Sequence, residues 1–287
     1  MPYDSGSFRL EYAVNGERFV NLIGQLPGRD ASLPPVIVGA HYDTCGDVPG
    51  ADDNAAAVAA TLAAAERRQG QSQDRSIVFA FFDAEEPPHF HQESMGSIRF
   101  YHDQRTGPIH AAVVMDLVGH DVPVPGIEDL LFITGIESDP DLQQLLIDTE
   151  PKRRLRIAAT VNSYVGDLSD HHVFRLNRVP YLFLTCGRWD HYHQTTDTPD
   201  RHNYIKLAAV AVPALVPSFG YEDLKIGDGS TASAALETLL LDTDALADAE
   251  RKPLTEQLLR YCQRDTLAMT RFYERLQVLS GASRPDP

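Results

Sequence analysis

The chain has 287 residues, 43 % of them apolar and 23 % charged, which are the proportions of a globular protein rather than a disordered one. Its formal charge of −16 repels nucleic acid and anionic lipid alike, so neither is an expected partner. No apolar stretch approaches the ~20 residues of a membrane span. The chain opens MPYDSGSFRL, without the basic region and apolar core of a secretory signal. As it stands it reads as a cytoplasmic protein, and as a periplasmic or secreted one if an upstream segment was removed. Phe8–Val14 and Arg18–Leu26 flank Asn15-Gly16, a pair suited to the positive φ angles of a two-residue hairpin turn. The run 35–40 (PVIVGA) predicts a buried strand ending at His41. Residues 54–68 are Ala-rich with almost no β-branching and precede Gly70, which predicts a helix with a C-terminal stop. A strand follows at Ser76–Phe82, a helix around Ser97–Asp103 and a strand at Ala111–Val118. Further strands are expected at Leu130–Thr134, Leu155–Ala159 and Val179–Thr185, with helices at Pro140–Glu150 and from about Arg201.

Strands alternating with helices after an opening hairpin predict an α/β three-layer sandwich with a largely parallel, mixed central sheet. In such sheets ligands gather at the carboxyl ends of the strands. The composition changes after Val212, dividing the chain into a main α/β domain (1–212) and a mostly helical C-terminal appendage (213–287). Within the appendage, residues 253–279 form an amphipathic helix on which Leu254, Leu258, Cys262, Met269, Phe272 and Leu276 share a face. Three widely spaced cysteines, Cys45, Cys186 and Cys262, suggest neither a disulfide framework nor a thiolate metal site.

The polar clusters sit where apolar runs stop. His41-Tyr42-Asp43 ends a strand; on extended backbone His41 and Asp43 face the same way, so one can hold a metal while the other fixes its tautomer. Taken alone, the triplet reads as an ordinary loop. Asp52-Asp53-Asn54 reads either as a set of helix N-caps or as a carboxylate placed to bridge two metals. Glu85-Glu86 reads as a solvated turn or as two neighbouring carboxylates that point apart and take different work, metal binding and proton transfer. Asp116 stands among Val113, Val114, Met115, Leu117 and Val118, where an unpaired carboxylate costs several kcal/mol; it is held either by a structural ion pair or by a metal. His191 and His193 lie in the loop after the last strand and read as surface residues or as ligands. Two imidazoles and three carboxylates, with a further carboxylate beside one of them, make the mixed N/O set suited to paired zinc ions.

With these motifs in hand, HYD (41–43), GADDNAA (50–56), FFDAEE (81–86), VMDLVG (114–119), SDH (169–171) and YHQTTDTPD (192–200), the chain resembles the co-catalytic zinc aminopeptidases of metallopeptidase family M28 over residues ~18–212. The resemblance implies a zinc-exopeptidase fold, a peptide substrate and two zinc ions per chain. It implies that His41 and Asp116 bind one zinc, Glu86 and His193 the other, and that Asp53 bridges them. Glu85 is then the general base, Asp43 orients His41, Tyr192 steadies the oxyanion, and the peptide bond after Asp53 is cis. A glutaminyl cyclase-like acyltransferase, or another exopeptidase of the same superfamily, is the alternative. Residues 87–95 (PPHFHQESM) are longer than the corresponding link in the family, and His89 and His91 are expected to border the substrate pocket. The segments 221–240 and 258–276 resemble the end of a proofreading-type 3′–5′ exonuclease domain, with Tyr261 and Asp265 at the positions of its last motif. Asp83-Ala84-Glu85 offers only a formal match to that domain's first acidic motif, so the tail reads as a fusion remnant.

Overall fold

The structure, a computed structural model, describes residues 7–140, 142 and 155–210. The expected helix at 140–150 lies almost wholly outside these residues, as does the whole C-terminal appendage with its Tyr261, Cys262 and Asp265. The chain divides into two compact units, Met1–Ala214 and Leu215–Pro287, and the described residues all belong to the first.

The opening hairpin forms as its turn chemistry dictates. Strands β1 (Ser7–Val14) and β2 (Glu17–Leu26) pair antiparallel, with Asn15 at φ 52° and Gly16 at φ 89°. Next come β3 (Val36–His41), helix α1 (Ala57–Arg68), β4 (Ile77–Phe82), α2 (Gly96–Arg99), which runs on into a wide turn over Phe100–Gln104, and β5 (Ala111–Met115). Strands β6 (Leu130–Thr134) and β7 (Arg156–Ala159) precede the short helices α3 (Asn162–Val165) and α4 (His171–Leu176). Strand β8 (Tyr181–Thr185) and helix α5 (Tyr204–Val210) complete the described unit. The eight strands form one sheet in the order β1-β2-β4-β3-β5-β8-β6-β7. Pairing is parallel from β4 through β3 and β5 to β8, and again between β6 and β7; the other neighbours are antiparallel. This is the mixed, largely parallel sheet expected.

Helices cover both faces, which is why the central strands are apolar throughout instead of alternating. On one face Ile37, Ala80, Phe82, Val114 and Phe183 form a core with Phe100, beyond α2, and Val173 and Phe174 of α4. On the other, α1 lies against β3 and β4, with α5 beside it. Burying each large side chain contributes roughly 1.5–3 kcal/mol.

Two boundaries next to the polar clusters differ from expectation, and two helices are additional. Strand β5 stops at Met115, not Val118, because Leu117 adopts φ 54° and turns the chain out of the sheet directly after Asp116. The helix expected from Asn54 begins at Ala57, since Asp53 (φ −107°, ψ 79°) and Asn54 (φ −137°, ψ 34°) lie in a wide turn over Ala51–Ala56 that is not helical at those positions. No side-chain hydrogen bond caps either the turn or the helix, so the capping reading of Asp52-Asp53-Asn54 fails. The short helices α3 and α4 were not anticipated.

Candidate metal centre

All the proposed ligands lie at the carboxyl edge of four neighbouring strands, β4, β3, β5 and β8. His41 is the last residue of β3, and Asp116 directly follows β5. Glu85 and Glu86 follow β4 through Ala84, whose φ of 55° turns the chain sharply, and His193, itself at φ 56°, lies in the loop after β8. Asp53 sits in the wide turn before α1, and the Asp53–Asn54 peptide bond is cis. Left-handed backbone at Ala84, Leu117 and His193 is uncommon for residues other than glycine, and it concentrates where side chains must be aimed.

The geometry has Asp53 at its middle. One carboxylate oxygen, Oδ1, is 3.4 Å from His41 Nε2, and the other, Oδ2, is 3.1 Å from His193 Nε2. His41 Nε2 also lies 3.6 Å from Asp116 Oδ1 and 3.8 Å from Glu85 Oε2. On the far side, His193 Nε2 is 3.0 Å from Glu86 Oε2. Glu85 thus faces the His41–Asp116 side, while Glu86 meets His193 and also stands close enough to His41 and Asp53 to share an ion with them. His41, Asp53, Glu85, Glu86 and Asp116 are all buried, while His193 is partly open to solvent.

The cluster fits a cation. His41 Nε2, Asp53 Oδ2, Glu86 Oε1, Asp116 Oδ1 and His193 Nε2 are all buried and have no hydrogen-bond partner. Leaving five such atoms unsatisfied costs of order 1–3 kcal/mol each, and metal coordination satisfies all five at once. Charge points the same way. Burial, with Asp53 next, pushes Glu86 up to about 8, and burial followed by the charges of Asp116, Asp170 and Glu86 raises Glu85 well above the carboxylate range. Asp116 is raised by burial and by Asp53. Burial disfavours the His41 cation, but Glu85 and Asp116 outweigh it and raise the imidazole well above its ordinary value. The three carboxylates are drawn toward holding a proton first by burial and then by neighbouring negative charge, and His41 by that negative charge alone; divalent cations relieve it.

Around the cluster, buried hydrogen bonds fix the backbone that carries it. The Asp43 carboxylate accepts from the backbone N–H of Glu85 (3.1 Å) and Glu86 (3.0 Å), and its Oδ1 is 3.5 Å from His41 Nδ1. The nearer partner of that ring nitrogen is the Asp43 carbonyl, at 3.2 Å. Asp43 thus spans His41 and the glutamate turn. Asn54 donates to the Met115 carbonyl at 3.0 Å, tying the turn of Asp53 to the end of β5. The Asp52 carboxylate accepts from Gly119 N (2.6 Å) and bonds His120 Nδ1 (2.5 Å). Gly119 is required there, since a Cβ would stand 2.7 Å from Asp52 Oδ1. The Tyr192 ring stacks on His193 at 3.8 Å, and the Arg188 guanidinium carbon lies over the same ring at 4.7 Å from its centre. His191, the alternative ligand, points away and bonds Thr196 Oγ1 at 2.7 Å.

The segment 87–95 packs between the hairpin and α4. Tyr12 donates to the Ser94 carbonyl at 2.9 Å, His89 meets Phe19 edge-on at 5.0 Å, and His91 stacks on His172 at 4.0 Å. Sequence reasoning missed three residues. Asp197, wholly buried, accepts from the backbone N–H groups of Asp52 (2.9 Å) and Asp53 (3.1 Å). Asp170 is wholly buried, and burial pushes it up to about 7. Cys45 lies beside Glu86 and His193. The motifs containing the two acids were visible in the sequence, but nothing there indicated that those carboxylates turn inward.

With strand order and cluster established, the relationship is plain: the chain belongs to peptidase family M28, whose sequence profile matches residues 21–215. Among curated proteins it is similar to the Uncharacterized protein YfbL of Escherichia coli (strain K12), at 25 % identity over 227 residues, 69 % of each chain. Among solved structures it is similar to a leucine aminopeptidase precursor from Bacteroides thetaiotaomicron VPI-5482 (20 % identity, 75 % of this chain and 83 % of that one, TM-score 0.56). It is also similar to BSAP, a zinc aminopeptidase from Bacillus subtilis (21 %, 73 % and 51 %, 0.57), and to Tannerella forsythia glutaminyl cyclase (19 %, 73 % and 82 %, 0.55). At these identities the likeness is one of fold. Among the described residues no helix is long and apolar enough to cross a membrane.

Proposed function

We propose that this chain is a zinc-dependent aminopeptidase that removes N-terminal residues from peptides. The observation that carries the reading is the Asp53 carboxylate, with one oxygen facing His41 and the other facing His193, amid buried atoms that lack partners. In this reading His41 and Asp116 hold one zinc, Glu86 and His193 the other, and Asp53 both. Bound zinc supplies a Lewis acid for the scissile carbonyl and makes an attacking water more acidic. The remaining work falls to the protein. Glu85 Oε2 takes the proton from the attacking water and returns it to the leaving nitrogen. Asp43 holds the backbone of Glu85 through its N–H, so that the carboxylate stays on the His41 side of the cluster. Tyr192, whose ring contacts both His193 and Arg188, offers its hydroxyl to the developing oxyanion. Residues 1–212 form the catalytic domain, and the appendage lies outside the chemistry.

A glutaminyl cyclase-like acyltransferase on the same fold uses one zinc, and the His41–Asp116 half of the cluster argues for a second. The test is metal analysis of the purified protein with a panel of aminoacyl-nitroanilides. The expected result is close to two zinc per chain and turnover on the panel. Asp53→Ala should weaken both sites, and His193→Ala should empty mainly one. A stoichiometry that stays at one under zinc excess, with no nitroanilide turnover, favours the cyclase.

A further inference from the structure

The cluster contains a ligand atom of a kind that neither half of the N/O set requires. Cys45 follows the strand-end triplet 41–43 by two residues, is partly exposed and forms no disulfide. Its Sγ, a carboxylate oxygen of Glu86 and a ring nitrogen of His193 all lie within 4.8 Å of one another. Two of these three groups seek a partner. The Glu86 side chain is only 5 % exposed and its Oε1 is buried without a hydrogen bond, and His193 Nε2 is in the same condition. Zinc bonds of about 2.0–2.3 Å at tetrahedral angles put ligand atoms roughly 3.3–3.8 Å apart, so a closing of about 1 Å or a little more at most, within the reach of side-chain rotation, brings all three onto one ion.

We propose that Cys45 is a protein ligand to the metal held by Glu86 and His193. This rests on the reading of the cluster as a metal centre and makes its two halves chemically different. The site of His41 and Asp116 is built from nitrogen and oxygen alone, while its neighbour gains a thiolate. On ligation the Cys45 thiol releases its proton to solvent and the sulfur lone pair forms the metal bond; no oxidant or further reactant is involved. Thiolates select softer ions, so this half discriminates in favour of zinc and cadmium over manganese and magnesium more strongly than its partner does. The site also becomes sensitive to thiol reagents that an all-oxygen-and-nitrogen centre would ignore.

The test uses the full-length protein stripped of metal and reloaded with cobalt(II). Visible d–d bands report that cobalt is bound, and a near-ultraviolet sulfur-to-cobalt band reports a thiolate ligand. Both should appear in the parent protein; Cys45→Ser should keep the first and lose the second. Bound metal should also slow alkylation of Cys45, because a sulfur lone pair engaged in a metal bond is not free to attack the reagent. Mass mapping separates this thiol from Cys186 and Cys262. Visible bands without the near-ultraviolet band, or one that survives in Cys45→Ser, or equal alkylation with and without metal, would overturn the assignment of Cys45 alone. Absence of visible bands at saturating cobalt would overturn the metal centre as well.

Discussion

Glu85 and Glu86 are adjacent in sequence, yet Glu85 lies 3.8 Å from His41 and Glu86 3.0 Å from His193, and the proposed division of work between them rests on that difference. Glu85→Gln keeps size and hydrogen bonding but removes the basic oxygen. Metal content and substrate binding should survive, and turnover should fall by ~10²–10⁴-fold, the usual worth of a positioned base. Glu86→Gln should instead lower zinc occupancy, with activity partly restored by added metal. If Glu85→Gln turns over near normally while Glu86→Gln is dead at full zinc content, the two roles are exchanged. How much of this was legible depends on the residue. Asp116 announced itself, because an acid within an apolar strand must be paired or coordinated. Asp197 did not: in YHQTTDTPD it looks like any loop acid, and only the folded chain brings its carboxylate to the N–H groups of Asp52 and Asp53. Cys45 was equally silent, since one cysteine without a neighbouring partner carries no spacing signal.

The elements that sequence patterning recovered are those whose period or punctuation is strong. The Asn15-Gly16 turn, the runs of β3, β4 and β6, and the Ala-rich α1 all lie within a few residues of expectation. The failures occur where tertiary contacts override local preference. Neither Ala84 nor Leu117 is a residue that favours positive φ, so the turns that aim Glu85 and end β5 could not be read in advance. Helix α4 is six residues long, too short for a periodic pattern, and it is held by packing. Its first residue, His171, stacks on Phe183 at 4.1 Å, and its Nε2 lies 3.1 Å from the Gly166 carbonyl. Burial pushes His171 down to about 4, overriding the hydrogen bond to Gly166 that favours the cation. An ordinary histidine titrates near ~6.5. Above that pH neither the folded nor the unfolded form is charged and the residue leaves stability unchanged. As pH falls from about 6.5 toward 4 the unfolded chain takes the proton first, and stability drops by about 3 kcal/mol at most. The raised carboxylates of Glu86 and Asp170 act in the opposite sense over this interval and are common to parent and variant, so the readout is the difference between them. By urea unfolding of metal-free protein at pH 7 and pH 4.5, the parent should lose stability relative to His171→Gln as pH falls, and a difference that does not change with pH would mean that His171 does not contribute.

In the molecule as a whole, two independent boundaries fall at nearly the same place. The family profile ends at residue 215, and the chain divides into compact units between Ala214 and Leu215. All the proposed ligands, from His41 to His193, lie on the N-terminal side, as do the hydrogen bonds that position them. Lys206 of α5 donates to the His120 carbonyl at 3.0 Å and the Glu128 carbonyl at 2.9 Å, so the last described helix belongs structurally to the sheet unit and has to be kept. The sequence after Tyr221 holds none of the peptidase motifs, and the likeness expected of it is to the end of a 3′–5′ exonuclease domain. The appendage should therefore be separable: a chain ending near residue 220 should bind as much zinc as the parent and hydrolyse the same nitroanilides, whatever happens to its solubility or self-association. Circular dichroism and a melting curve establish whether the shortened chain is folded. A folded chain that has lost both metal and turnover would make the tail part of the catalytic domain. The parent chain should also leave single-stranded DNA intact in the presence of magnesium, because a last nuclease motif without the acidic strand motif cannot assemble a pair of metal-binding carboxylates. Magnesium-dependent degradation that disappears in Asp265→Asn would show instead that the appendage is a working part of a second active site.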